Sequence, residues 1–282
     1  MSIRRNLALL APVLMASTAF SEAPKPAAAP APVTAPAGWK MVWSDEFNGK
    51  ELDFNKWSVE ENGNGGGNNE LQYYVDRPEN VRVEDGCLVI EARKEKYAAG
   101  GLEKNFTSGR IRTKRHASWT YGRYEIRAKL PTGRGVWPAL WMLPEKEKYG
   151  GWAASGEIDI MEMLGQEPDK VYGTLHYGGS WPKNVHTGEP FKLEKGTFAD
   201  DFHIFALEWE KGEIRWYVDG KLYQTQKKWN SDGAAFPAPF DQPFFFVINL
   251  AVGGGWPGPP DDKTVFPQKL LVDYVRVFEK AP

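Results

Sequence analysis

The sequence predicts an all-β protein, a two-sheet antiparallel sandwich of jelly-roll type. Three observations carry that expectation. Apolar and polar residues alternate with period two over long stretches, notably VRVEDGCLVIEA (81–92), YGRYEIRAKL (121–130), HIFALEWEKGEIRWYVDGKLYQTQ (203–226) and LLVDYVRVFE (270–279). Tight-turn dipeptides interrupt the runs at Asp85-Gly86, Lys211-Gly212 and Asp219-Gly220, where hairpins reverse the chain. No stretch after the first residues keeps a helical apolar repeat for a dozen positions, so helices are expected to be short or absent. Many strands without crossover helices close most simply into two packed sheets.

The chain opens with Arg4 and Arg5, an apolar run from Leu7 to Ala16 and small residues around Ser17 to Ser21. That is the build of a secretory signal peptide, 1–21, with an apolar run too short to span a bilayer comfortably. Its cleavage removes two arginines and no acid, taking the formal charge from −2 to −4. Residues 22–37, EAPKPAAAPAPVTAPA, alternate Ala with Pro and read as an extended linker. The remaining residues, 38–282, show no second Pro-rich break and no repeat, and are read as one domain.

Composition narrows the function classes. The single cysteine, Cys87, excludes an intramolecular disulfide and a Cys-rich zinc module. Balanced charge, with 35 Lys+Arg against 37 Asp+Glu, gives no electrostatic reason to expect nucleic acid, or a membrane once the signal is gone. Twelve tryptophans in a chain of negative mean hydropathy suggest that some rings are exposed for a purpose.

The stretch GEIDIMEMLG, 156–165, carries the chemistry. In a regular strand Glu157 and Asp159 share one face and Ile158 and Ile160 the other. Glu162, at an odd offset, would then point into the core, where an unpaired carboxylate is nearly intolerable. One extra residue at Ile160-Met161, a β-bulge, returns Glu162 to the face of the other acids and Met163 to the core. Three crowded carboxylates repel one another and contribute nothing to the fold. Glycoside hydrolysis needs such a group: a nucleophile, a general acid/base and a tuning neighbour. Two glutamates about four strand steps apart, roughly 13 Å between Cα atoms, can bring their carboxyl groups to the spacing of a retaining pair.

Glu157-Ile-Asp-Ile-Met-Glu162 resembles the E-x-D-x-x-E signature of glycoside hydrolase family 16 in its bulged form. The surroundings resemble the bacterial laminarinases of that family: WSDEFNG (43–49), GNNELQYYVDRPENVRVEDG (67–86), SGRIRTK (108–114), YGRYEIRAKLPTGRGVWPALWMLP (121–144) and NLAVGGGWPG (249–258). The match covers nearly all of 39–279. It implies a concanavalin-like jelly roll with a groove along a concave sheet, and an exported, monomeric endo-β-1,3-glucanase acting on polysaccharides such as laminarin, secreted or periplasmic. By the same resemblance Glu157 is the nucleophile, Asp159 its assisting carboxylate and Glu162 the acid/base. No cofactor serves catalysis. A structural Ca²⁺ is implied on the convex side, held by Glu46, the carbonyl of Gly86 and Asp273.

Several side chains are candidates for holding sugar. Trp137 and Trp141, four apart on one strand, share a face, with Leu140 and Met142 on the other; each indole is core filler or a stacking platform, and the resemblance favours the cleft. His176 shares its face with Tyr172 and Thr174, as a structural hydrogen-bonder or, by resemblance, a group beside the acid/base. Asn69 and Arg112 match positions that hydrogen-bond hydroxyls, against turn chemistry and a solvated strand face as their plainer readings. Trp256, in GGGWPGPP, has little around it to form a core and is expected to face ligand. Alternatives on the same fold are an agarase, carrageenase or other galactan hydrolase, a mixed-linkage glucanase, and a non-catalytic β-glucan-binding protein, which has no use for paired acids.

Overall fold

The computed structural model describes residues 35–282. The signal peptide expected at 1–21 and nearly all of the linker expected at 22–37 lie outside the described residues. Within them the chain forms strands β1 (Trp39–Asp45), β2 (Ser58–Val59), β3 (Gln72–Tyr74), β4 (Val81–Glu84), β5 (Cys87–Ala99) and β6 (Leu102–Ser108). Next come β7 (Arg110–Arg112), β8 (Gly122–Lys129), β9 (Val136–Pro144), β10 (Glu157–Glu162), β11 (Lys170–Gly178) and β12 (Asn184–Lys192). The chain finishes with β13 (His203–Glu210), β14 (Glu213–Val218), β15 (Lys221–Gln226), β16 (Phe244–Val252) and β17 (Gln268–Lys280). No helix occurs among the described residues.

The strands make two sheets. Ten strands form one, in the order β15-β14-β13-β8-β17-β5-β6-β3 with β1 beside β17 and β4 beside β5; seven form the other, β12-β11-β10-β9-β16-β7-β2. Pairing is antiparallel except between β3 and β6. The expected hairpins are present: Asp85-Gly86 and Asp219-Gly220 each place both residues at positive φ (52° and 76°, 49° and 78°), the mirror-image turn that follows strand twist. In Lys211-Gly212 only the glycine does so, at φ 80°.

Facing sides of the sheets make one core. The smaller sheet contributes Leu140, Met142, Ile158, Phe246, Ile248 and Leu250, all fully buried. The larger contributes Ile90, Ile126, Leu207, Trp209, Trp216 and Val277. All nine residues of β16 are buried, although only its even-numbered side chains meet the core. Its odd positions Asn249 and Ala251 line a cleft on the outer face of the smaller sheet. That cleft positions the candidate site.

Candidate active site

The bulge that the acidic pattern required is present in β10. Against β11, Glu157 pairs with His176, Asp159 with Thr174 and Glu162 with Tyr172, so the partner advances two residues while β10 advances three. Against β9, Asp159 meets Trp141 and Met161 meets Leu140. Ile160 and Met161 are therefore both core residues, 2% and 0% exposed, and all three acids reach the outer face. The carbonyl of Asp159 at this kink accepts a hydrogen bond from Trp216 Nε1 at 2.8 Å, reaching across from the larger sheet. Gly173 makes the approach possible: a Cβ there would stand 2.4 Å from the Trp216 ring.

The cleft has a volume of about 610 Å³. Its floor is β10, with Trp137, Ala139, Trp141 and Leu143 from β9 alongside. Each glutamate is held by an indole: Trp152 Nε1 donates to Glu157 Oε2 at 2.8 Å and Trp137 Nε1 to Glu162 Oε1 at 3.1 Å. His176 Nε2 lies 3.3 Å from Asp159 Oδ2 and 3.7 Å from Glu157 Oε1.

The environments raise both glutamates and differ in which neighbours act on them. Burial raises Glu157 to about 8, with Asp159 adding to the shift, while His176, the Trp152 hydrogen bond and Arg110 oppose it. Burial likewise raises Asp159 to about 8. Glu162 is pushed well above the usual carboxylate range by burial and then by both Asp159 and Glu157; His176 and Trp137 only partly offset this. Both glutamates gain support for the ionised form from His176 and one indole, and Arg110 adds to it at Glu157 alone. Two carboxyls whose surroundings differ in this way can divide nucleophile and acid roles between them.

The other expected ligand positions are placed unevenly. Trp137 and Trp141 line the cleft, and Trp141 Nε1 donates to Asn249 Oδ1 at 2.7 Å. Trp256, 42% exposed, packs edge-on against Trp137 and Tyr172 with centroids 5.6 and 5.1 Å away. Asn69 and Arg112 do not line the cleft; their neighbours Asn68 and Arg110 do. Asn69 is committed to the turn at φ 60°, and Arg112 Nη1 binds Glu60 at 3.0 Å. Arg110, opposite Asn249 on β16, lies over the Trp141 ring at 4.9 Å. Trp152 and Trp181, which no periodicity marked, line the same cleft.

The three expected Ca²⁺ positions gather on the larger sheet. Asp45 pairs with Val275, which brings Glu46 to the stretch of β17 that contains Asp273, where the register against β8 slips. The Cys87 thiol, next to Gly86, is raised by burial and also by the charge of Asp273. Two carboxylates and a carbonyl suit a hard cation. Both carboxylates are also held by arginines: Arg276 donates to the two oxygens of Glu46 at 3.0 and 2.7 Å, and Arg127 to Asp273 Oδ2 at 2.6 Å. An ion here must displace guanidinium groups.

Known proteins resemble this chain over the folded region. The model of the glycosyl hydrolases family 16 matches residues 68–276. A beta-glucanase of Rhodothermus marinus is 47% identical over 248 residues, covering 85% of this chain and 85% of the relative. A glucan endo-1,3-beta-glucosidase A1 of Niallia circulans is 45% identical over 262 residues, 86% of this chain, and this chain spans 38% of that longer protein. The laminarinase catalytic domain of Thermotoga maritima superposes with a TM-score of 0.77 at 44% identity, covering 86% of this chain and 99% of the domain.

Proposed function

The chain belongs to the glycosyl hydrolases family 16, and from that membership we propose that it is an endo-acting hydrolase of β-1,3-glucosidic bonds in β-glucans such as laminarin, working with retention of anomeric configuration. The observation that carries the mechanism is the bulged β10, with three acids on the cleft floor and each glutamate fixed by a different indole. Glu157 attacks the anomeric carbon, forming a C–O bond as the glycosidic C–O bond breaks. The departing oxygen takes the proton of Glu162. Glu162, now a carboxylate, removes a proton from water, which attacks the same carbon and releases Glu157. Two displacements restore the β configuration. Asp159, itself raised, supplies a proton or a hydrogen bond to whichever neighbour carries charge.

The cleft favours a neutral polymer. Its acidic lining includes Glu60, Glu70 and the three acids of β10, while Arg110 is the one basic side chain among the lining residues. A single guanidinium, itself paired with Glu60, gives the sulfate groups of a sulfated galactan little to bind. Trp137, Trp141 and Trp181 present indole faces on which pyranose rings stack. Asn68 and Arg110, rather than Asn69 and Arg112, are the groups within reach of hydroxyls.

Incubating the purified protein with laminarin, lichenan, agarose and carrageenan separates the readings. Laminarin should yield oligosaccharides of several lengths, with β-configured product first by NMR. Cleavage confined to agarose overturns the specificity, and binding of laminarin without cleavage leaves only a binding protein.

The protein acts as a monomer outside the cytoplasm, exported by the signal at 1–21. No described helix is long and apolar enough to cross a membrane. Glu46, Gly86 and Asp273 hold a structural Ca²⁺ that ties β1 and the β4–β5 hairpin to β17, with Arg276 yielding Glu46 and Arg127 yielding Asp273. A ligand bound only by the native state adds stability by mass action. The Tm of metal-stripped protein should therefore rise with Ca²⁺ and fall again with chelator; indifference to both removes the ion from the account.

A further inference from the structure

The cleft floor also carries donors matched to a different kind of cation. Among the described residues, one group of three acidic or imidazole side chains has ligand atoms all within 4.8 Å of one another: Glu157, Asp159 and His176. Zinc bonds to imidazole nitrogen and carboxylate oxygen are about 2.0–2.1 Å long, so two donors on a tetrahedral ion lie roughly 3.3–3.4 Å apart. His176 Nε2 and Asp159 Oδ2 already stand at 3.3 Å, and His176 Nε2 and Glu157 Oε1 at 3.7 Å. One edge of the polyhedron is formed, and a second closes with a few tenths of an ångström of side-chain motion.

A second observation is independent of that spacing. Asp159 is 2% exposed, yet its Oδ2 accepts no hydrogen bond; the ring nitrogen 3.3 Å away is not aligned to donate to it. His176 Nδ1 is also buried without a partner. A buried carboxylate oxygen facing an imidazole that does not donate to it lacks the partner that buried polar atoms ordinarily have. A cation placed between them supplies that partner to Asp159 Oδ2 and binds the imidazole through Nε2, the ring nitrogen that faces it. One imidazole nitrogen with two carboxylate oxygens suits a borderline first-row dication, whereas Ca²⁺ requires six to eight oxygens and Mg²⁺ a nearly regular octahedron.

We propose that a transition-metal dication of the Zn²⁺ type binds reversibly to Glu157, Asp159 and His176, with its fourth position open to the cleft, and that this ion and the glucan exclude one another. The binding half stands on the donor geometry alone. The exclusion half rests on the function proposed above, since a coordinated Glu157 oxygen is not free to form a bond to the anomeric carbon. Metal occupancy then acts as an off switch within the catalytic group itself.

Calorimetric titration of metal-free full chain with Zn²⁺ tests the binding half without any activity measurement. One ion per chain should bind and EDTA should remove it. Co²⁺ in its place should show the visible absorption of a tetrahedral site. Asp159→Asn and His176→Ala should each weaken Zn²⁺ by tenfold or more, on the order seen when metal-site support is removed, with Tm in the absence of metal reporting that each variant folds. His186→Ala, which removes the ring packed 5.5 Å from His176, should leave the affinity unchanged. Absence of stoichiometric binding overturns the site, as does binding indifferent to Asp159→Asn and His176→Ala or lost in His186→Ala. For the second half, laminarin cleavage should fall in proportion to Zn²⁺ bound and return with EDTA. Full cleavage by the loaded protein overturns mutual exclusion. No cleavage by the metal-free protein is a failure of the proposed function and leaves the calorimetric result standing.

Discussion

Glu157→Ala should lose laminarin turnover by on the order of 10⁴-fold or more, as expected when a group acting directly on the reacting atoms is removed, while the protein still folds. The fold should survive because Glu157 lies at the start of β10 and its interleaved core neighbour, Ile158, is untouched. The alanine leaves space beneath the anomeric carbon, beside the Trp152 indole that held the missing carboxylate. Azide can enter that space and attack from the same side as the lost nucleophile. With an activated β-glucoside it should restore turnover and give the α-glycosyl azide, because only one displacement then occurs. A β-azide, or rescue seen in Glu162→Ala and not in Glu157→Ala, reverses the assignment of the two glutamates.

The bulge was legible because the sequence presents a conflict with one cheap solution. A strand that keeps Glu157 and Asp159 outside puts Glu162 in the core, and only an inserted residue reconciles them; Ile160 and Met161, adjacent and both buried, are the record of that insertion. The shared face of Trp137 and Trp141 follows from alternation alone. Alternation could not choose between Arg110 and Arg112, which lie on one face two residues apart. Register chooses, because Arg110 falls opposite Asn249, which lines the cleft, and Arg112 opposite Val247, which does not, although both guanidinium groups reach Glu60. Asn68 and Asn69 present the same difficulty within a turn, where the residue at positive φ is spent on backbone geometry.

Other parts of the site have no local signal. Trp152 and Trp181 stand in segments without period, and their rings reach the cleft only because the chain between β9 and β10 meets the turn after β11: Trp181 N–H bonds the carbonyl of Trp152 at 2.8 Å. Trp216 reads as an ordinary core residue of β14, yet its indole fixes the carbonyl at the catalytic kink. The hint lay in Gly173, the one position of β11 facing the core at that level where a side chain would collide with it. Such long-range requirements are invisible to a reading that proceeds strand by strand.

Glu162→Gln should produce opposite effects on activity and stability, and both follow from the same proton. The folded protein holds the Glu162 proton well above the ordinary carboxyl value of 4.5, through burial and the neighbouring Asp159 and Glu157. Between the unfolded and folded values the native state binds more protons than the unfolded state, so stability falls as pH rises through that window. The contribution of the protonated form is fully present below the unfolded value and is lost as the folded value is approached. Glutamine keeps the shape and the Trp137 contact but cannot ionise. Its stability advantage over the parent should therefore be small at pH values near the ordinary carboxyl value and grow steadily as pH rises above it. Laminarin cleavage should fall about 10²–10⁴-fold, the usual worth of a general acid. An aryl β-glucoside whose leaving group needs no proton should still form the glycosyl-enzyme, and its burst should persist while turnover stalls for want of a base. A Tm advantage that shrinks with rising pH, or laminarin cleavage that survives the substitution, places the essential proton on another residue, and Asp159 is then the one to substitute.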